Sequence, residues 1–326
     1  MKNKFLMKSI IFFAIFVLIF VYSSNVLRSK QLSKPWDFSM TTSGFYNEKR
    51  NTLDVLAFGS SHAYASINPI EIWDKTGIPS YVLATSNQPI WITYYYMKEA
   101  LKFQKPKVMI LDVHMIVDYD KEYGTEAMNY TALNEMKFSK NKVDAIRDSV
   151  PKQERVYYYF DLFKYHSRWK EISKYDFDLS YKKKKNKNKG MIFLDGTKPI
   201  KNYKYPNTKK ERPLPKKTEL YLNKIIKLAK DNNIKLLLIK APNNPNQQYV
   251  ESLNTVENIA KHNDIPFINY NKMYRELKID EEKDFYDPRH LNYIGAKKLS
   301  NNLAQYLKEN YNLENKKFIK AYEGWS

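Results

Sequence analysis

The sequence predicts an α/β protein: a three-layer α/β/α fold on a mostly parallel five-stranded sheet, behind an N-terminal transmembrane helix. Three observations predict it. Five short apolar runs alternate with segments of helical periodicity, the pattern of parallel βαβ units. The first run, Leu53-Asp54-Val55-Leu56-Ala57-Phe58, stops abruptly at Gly59-Ser60-Ser61-His62. Open α/β sheets place their chemistry at such strand ends. Finally, 19 uncharged residues separate Lys8 from Arg28. As a helix rising about 1.5 Å per residue they reach roughly 28 Å, close to a bilayer core.

Taken in order, residues 1–30 read as a short basic tail and anchor. A cleaved signal peptide is the alternative, but Val21-Tyr22-Ser23 is a poor cleavage site. Arg28, Lys30 and Lys34 roughly balance Lys2, Lys4 and Lys8. The short tail and the absence of Cys favour a cytoplasmic N-terminus with the body outside. Residues 31–50 look like a polar linker, and 51–315 like the α/β domain. Strands are expected at 53–58, 80–85, 107–113, 234–240 and 266–270. Helices are expected at 69–75, 88–103, 218–231, 247–262 and 293–309, where apolar residues recur at helical spacing.

The alternation breaks for residues 114–216, an insertion after strand three that mixes helix and loop. Within it, 156–169 is strongly aromatic and reads as a helix. The lysine run at 182–189 reads most simply as a solvated loop, with polyanion binding as its alternative. Residues 316–326 form a C-terminal tail.

Composition narrows the function. The 326 residues carry 55 Lys and Arg against 35 Asp and Glu, a formal charge of +20. Such an excess suits an anionic polymer or membrane surface. Nucleic acid fits the charge too, but the anchor and the lack of a nucleic-acid motif argue against it. With no Cys and only 8 Gly, disulfides, thiolate metal sites and glycine-rich phosphate loops are excluded. No His pair has i,i+4 spacing, so no metal site and no cofactor is expected.

Far downstream, Asp287-Pro288-Arg289-His290 precedes the last helix. Ser61, His290 and Asp287 are the set that nucleophilic acyl chemistry requires. A serine hydroxyl needs an adjacent base. His290 would take its proton, and Asp287 would orient and charge-stabilise the imidazole. Each has a plainer use: Ser61 and Asp287 as turn residues, His290 at a helix start. His62 reads as a strand-end packing residue. Asp112 should find local hydrogen bonds, because an unpaired buried charge is too costly.

Gly59-Ser60-Ser61 and the late Asp287-Pro288-Arg289-His290 together resemble the SGNH (GDSL-like) hydrolase superfamily, over most of residues 50–312. The chain looks most like its membrane-anchored branch, which includes DltD-like proteins of teichoic-acid D-alanylation and neighbours from polysaccharide O-acetylation. In DltD-like members the aspartate before the nucleophile is a serine, as Ser60 is here.

The resemblance implies an SGNH/flavodoxin-like sheet with Ser61 as nucleophile. It implies an oxyanion hole from the Ser61 N–H and a group after strand two, here Ser86, Asn87 or Gln88. The family's Asn after strand three is missing: Leu111-Asp112-Val113-His114 stands there, so His114 becomes the candidate donor. His166 and Arg168 are candidates to face a substrate anion, against a plain aromatic helix surface with solvated charges.

The expected function is acyl transfer or ester hydrolysis, of acetyl or D-alanyl groups on an anionic cell-envelope polymer. A membrane O-acyltransferase of the MBOAT type would be the partner, and the bilayer would hold the first helix. The alternative is a non-catalytic docking subunit of such a system, favoured by the missing Asn.

Overall fold

The computed structural model describes residues 2–32, 35–117, 121–200 and 203–325; Lys34 lies outside them. The first helix, α1 (Lys2–Leu27), is long and apolar enough to cross a membrane and is unburied along its span. Then follow α2 (Phe38–Tyr46), β1 (Val55–Gly59), α3 (Ser61–Ser66), α4 (Pro69–Thr76), β2 (Ser80–Ala84), α5 (Ile90–Ala100) and β3 (Val108–Asp112). The insertion carries α6 (His114–Val117), α7 (Glu126–Leu133), α8 (Lys140–Ser149), α9 (Val156–Tyr159), α10 (Asp161–Tyr165) and α11 (Lys174–Phe177). The domain resumes with α12 (Lys216–Asp231), β4 (Lys235–Lys240), α13 (Gln247–His262), β5 (Phe267–Asn269) and α14 (Tyr274–Leu277). A hairpin of β6 (Phe285–Asp287) and β7 (His290–Leu291) leads into α15 (Tyr293–Asn310).

The main sheet has five parallel strands in the order β2-β1-β3-β4-β5. Successive side chains point to opposite faces, so both faces need a cover. Leu56, Phe58, Met109, Leu111, Leu236 and Leu238 pack with α5, α8, α12 and α13. Val55, Ala57, Val108, Ile110, Leu237 and Ile239 pack with α3, α4 and α15 on the other face. Burial on both faces is why the strands read as continuous apolar runs. Local signals set helix ends. At α4, the Asn68 side chain accepts from the Ile70 and Glu71 N–H groups, Pro69 takes the first helical position, and Gly77 closes the helix at φ 71°.

Four expectations change. The segment read as a polar linker holds α2, whose Phe38 and Phe45 are buried in the two cores. The aromatic helix expected at 156–169 is broken at Phe160, which is extended (φ −130°, ψ 93°), giving α9, α10 and a 3₁₀ turn at His166–Glu171. The C-terminal tail docks: Trp325 lies 4.7 Å from Trp73, and Lys316 pairs with Asp54 at 2.7 Å.

The lysine run is the fourth. Lys183, Lys184, Lys185 and Lys187 are exposed, but Lys189 is buried and paired with Glu48 at 3.1 Å. The Val82 N–H donates to the Lys189 carbonyl at 2.9 Å, so this segment covers the open edge of β2.

The same contact requires Gly190, at φ 91°, where an added Cβ would lie 1.8 Å from the Val82 carbonyl oxygen. Gly190→Ala should therefore destabilise the protein by about 2 kcal/mol or more, from backbone strain and overpacking. A thermal melt of the variant that overlays the wild type would contradict this account.

Candidate active site

Parallel register brings the strand ends to one level. Gly59 pairs with Ala84 of β2, and Phe58 with Leu111 of β3, so the residues after β1, β2 and β3 emerge side by side. Gly59 turns the chain out of β1 at φ 147°, a value L side chains rarely adopt. An added Cβ there would meet the Cβ atoms of Ala63 and Asp112 at 3.1 Å. Ser61 then opens α3 with its side chain at the sheet edge.

The late hairpin meets it. His290 Nε2 lies 2.8 Å from Ser61 Oγ, and His290 Nδ1 lies 2.9 Å from Asp287 Oδ2. A carboxylate only accepts, so Nδ1 carries the proton and Nε2 is left to accept from the serine hydroxyl. Asp287 Oδ1 also accepts the backbone N–H groups of Arg289 (2.8 Å) and His290 (3.0 Å). Burial pushes the Asp287 carboxyl up, but the bonds from His290 and those two N–H groups outweigh it and hold it below the usual carboxylate value. It therefore stays charged beside the imidazole.

The hairpin is itself held from three sides. The Lys198 N–H donates to the Phe285 carbonyl at 2.8 Å, and the Asn244 N–H to the Pro288 carbonyl at 3.3 Å. Asn292 caps α15 by accepting from the Ile294 and Gly295 N–H groups, while its own amide donates to the carbonyls of Lys283 (2.7 Å) and Gly196 (3.0 Å). One side chain thus fixes the helix start, the hairpin and the end of the insertion. The segment expected as a plain loop is a two-stranded turn.

Behind Ser61 lies a buried polar cluster. His62 and His114 stack with ring centroids 3.7 Å apart, and His62 is 5.1 Å from the His290 ring. Lys240, at the end of β4, donates to His62 Nδ1 at 3.1 Å and to the Ala241 carbonyl. His114 Nδ1 is 2.7 Å from the Tyr249 hydroxyl. Asp112 clasps two strand exits, accepting from the N–H groups of His114 and Ala241 at 3.0 Å each. Burial pushes its carboxyl up, opposed by Lys240 and those two bonds.

The remaining candidates separate. Asn87 occupies the exposed turn after β2 at φ 48°, beside the Ser61 strand end. Gln88 is buried, and its amide is committed to Thr85 (3.0 Å) and Thr93 (2.9 Å), so it holds the helix start instead of facing the serine. His166 and Arg168 belong to the 3₁₀ turn beside α1. His166 Nδ1 bonds the Phe163 carbonyl at 3.0 Å, and Arg168 bonds the Leu27 carbonyl and Asp176. Neither is joined to the Ser61 group; Arg168 reaches the end of α1, and His166 stays exposed.

Sequence reasoning missed Lys240, Tyr249 and Tyr64. Tyr64 follows Ser61 in α3 and is buried, and burial raises the pKa of its hydroxyl. Lys240 had a signal: it is a charge closing the apolar run Leu236-Leu237-Leu238-Ile239, at the strand end where the chemistry is expected.

Comparisons with known proteins bear on this arrangement. A protein-family model matches residues 163–312, a stretch that holds Asp287 and His290 but not Ser61. No curated protein matches the chain. Among solved structures, the chain is similar to a GDSL-like lipase from Bacteroides thetaiotaomicron VPI-5482, at 14% identity over 79% of this chain and 88% of that one, with a TM-score of 0.38. It is also similar to a G-D-S-L family protein from Desulfitobacterium hafniense DCB-2, at 10% identity, 78% and 99% coverage, and TM-score 0.40. An acetyl xylan esterase from the rumen bacterium Butyrivibrio proteoclasticus matches at 10% identity, 79% and 64% coverage, and TM-score 0.32.

The buried imidazoles predict a pH dependence of stability. Burial drives both well below the usual histidine value; for His62 the next causes are His114 and Lys240, and for His114 Lys240 and His290. In the unfolded chain each titrates near about 6.5. Below that pH the unfolded state binds more protons, so stability falls with pH, by up to about 1.4 kcal/mol per imidazole per pH unit. Melts from pH 7.5 down to 5 should show a declining Tm, with a shallower decline in His62→Gln. Equal slopes in the two proteins would refute this.

Proposed function

We propose that this chain is an SGNH-type serine enzyme acting on acyl esters, carried outside the cytoplasm on α1. The observation that supports it is the continuous hydrogen-bonded line from Ser61 Oγ through His290 to Asp287 at 2.8 and 2.9 Å. Ser61 Oγ attacks the acyl carbonyl as its proton passes to His290 Nε2. The ionised Asp287 stabilises the imidazolium. The Ser61 N–H and the backbone at Asn87, on the neighbouring strand end, receive the oxyanion. His290 then returns the proton to the leaving oxygen, and the ester bond breaks to leave an acyl-serine. Water or a second hydroxyl, deprotonated by His290, attacks that ester and releases Ser61.

The finer reading is transfer of acetyl or D-alanyl groups to an anionic cell-envelope polymer. The formal charge of +20 and the resemblance to the membrane-anchored branch support it. A membrane O-acyltransferase would then supply the acyl group.

Wild-type protein should bind a fluorophosphonate covalently, and Ser61→Ala should not. Hydrolysis of an aryl acetate should fall about a thousandfold or more in Ser61→Ala and in Asp287→Asn. A folded wild-type protein that forms no Ser61-dependent adduct would leave the docking-subunit reading in its place. In cells, a Ser61→Ala strain should lose polymer acylation as fully as a deletion.

A further inference from the structure

Where α1 leaves its apolar span, the insertion encloses a cavity of about 620 Å³ far from any residue of the Ser61 group in its lining. Its upper wall is apolar: Val17, Phe20 and Val21 of α1, with Phe160 edge-on to Phe20 at 6.2 Å. Its floor is cationic. Arg28, Lys142 and Lys182 line it, and Arg28 and Lys142 are buried. Two carboxylates also line it, and both have partners. Asp161 lies 3.4 Å from Arg28, and Glu135 accepts from Ser39 and Tyr181 at 3.1 Å each.

Among the described residues no ion pair joins Lys142 to a carboxylate, although the charges of Asp161 and Glu135 reach it; its hydrogen bond is a long one, 3.5 Å to the Asn134 carbonyl. Lys182 bonds the amide oxygen of Asn25. Burial pushes both ammonium groups down to about 8; Asp161 and Glu135 oppose that shift and the Arg28 charge adds to it. Arg28, Lys142 and Lys182 outnumber Asp161 and Glu135, so the floor keeps positive charge that a negative group from outside the chain can match.

The surroundings say which anion. Val156, Tyr157, Phe160, Phe163 and Trp169 are exposed on α9, α10 and the following 3₁₀ turn, and α10 packs against α1. Aromatic and apolar side chains gathered at the end of a spanning helix mark the headgroup level of a bilayer. With α1 across a bilayer, the cavity would open to lipid, its apolar wall continuing the acyl-chain region and its cations lying at phosphate depth.

We propose that this cavity binds one anionic phospholipid, its phosphate on Arg28, Lys142 and Lys182 and an acyl chain along Phe20 and Phe160. Bound there, the lipid ties the insertion to the membrane surface and sets the height of the α/β domain above it. The inference rests on α1 spanning the bilayer, and it is independent of the chemistry at Ser61.

The test uses the full chain in nanodiscs or detergent, with short-chain phosphatidylglycerol, phosphatidylcholine and inorganic phosphate as probes. Phosphatidylglycerol should raise the Tm and bind at least ten times more tightly than phosphatidylcholine. Inorganic phosphate at the same concentration should do neither. The preference should disappear in Lys142→Gln/Lys182→Gln and survive in Lys183→Gln/Lys185→Gln, which removes exposed charge only. Should the first variant not fold, Val21→Trp decides, because it fills the cavity and leaves every cation in place. Equal binding of the two lipids, stabilisation by phosphate alone, or a preference kept in either folded cavity variant overturns the proposal. Failure of the chain to enter nanodiscs would instead indict the reading of α1.

Discussion

The in-register parallel pairing of β1 with its two neighbours is the constraint on which the candidate site depends. Gly59 opposite Ala84, and Phe58 opposite Leu111, put three strand exits at one height. The chain runs from β1 outward to β2 and then returns across β1 to β3, so the exits diverge at β1 and leave a crevice. Gly59 makes the exit from β1 abrupt enough for Ser61 to stand in that crevice. A one-residue slip would turn Ser61 to the opposite face and bury its hydroxyl against the core.

His290 reaches Ser61 from more than 200 residues away, and its placement comes from backbone hydrogen bonding. Asp287 organises its own turn through two N–H groups before it meets the imidazole. Asn292 and the loop after β4 then fix that turn to the rest of the domain. The second tier joins Lys240 to His62, with His114 stacked on that ring, and burial holds both imidazoles well below the usual histidine value.

Part of the insertion faces the other way: α10 and α11 contact α1, and Arg168 and Lys30 both close on Asp176 there. The aromatic segment that the sequence presents as one helix is divided by the extended Phe160 into two short pieces, of which α10 packs on α1. The molecule thus has two ends, one at the sheet edge and one at the candidate membrane span α1, joined through the α/β core.

The sequence alone determined the sheet, because a strand buried on both faces must be apolar throughout and the helices between must be amphipathic. It also singled out Ser61, Asp287 and His290, which the fold brings into one hydrogen-bonded line, and His290 is one of only 5 histidines. The length and apolarity of α1 were equally plain from its uncharged run. Tertiary structure alone decided the rest. Whether Gln88, His166 or Arg168 faces the serine depends on which partners their side chains find, and those partners lie in other elements. Lys240 ends the run expected as a strand at 234–240, and only the fold shows which groups it meets there, His62 and the Ala241 carbonyl. Local patterns report which face of an element is buried; they carry no record of which distant polar groups meet once it is.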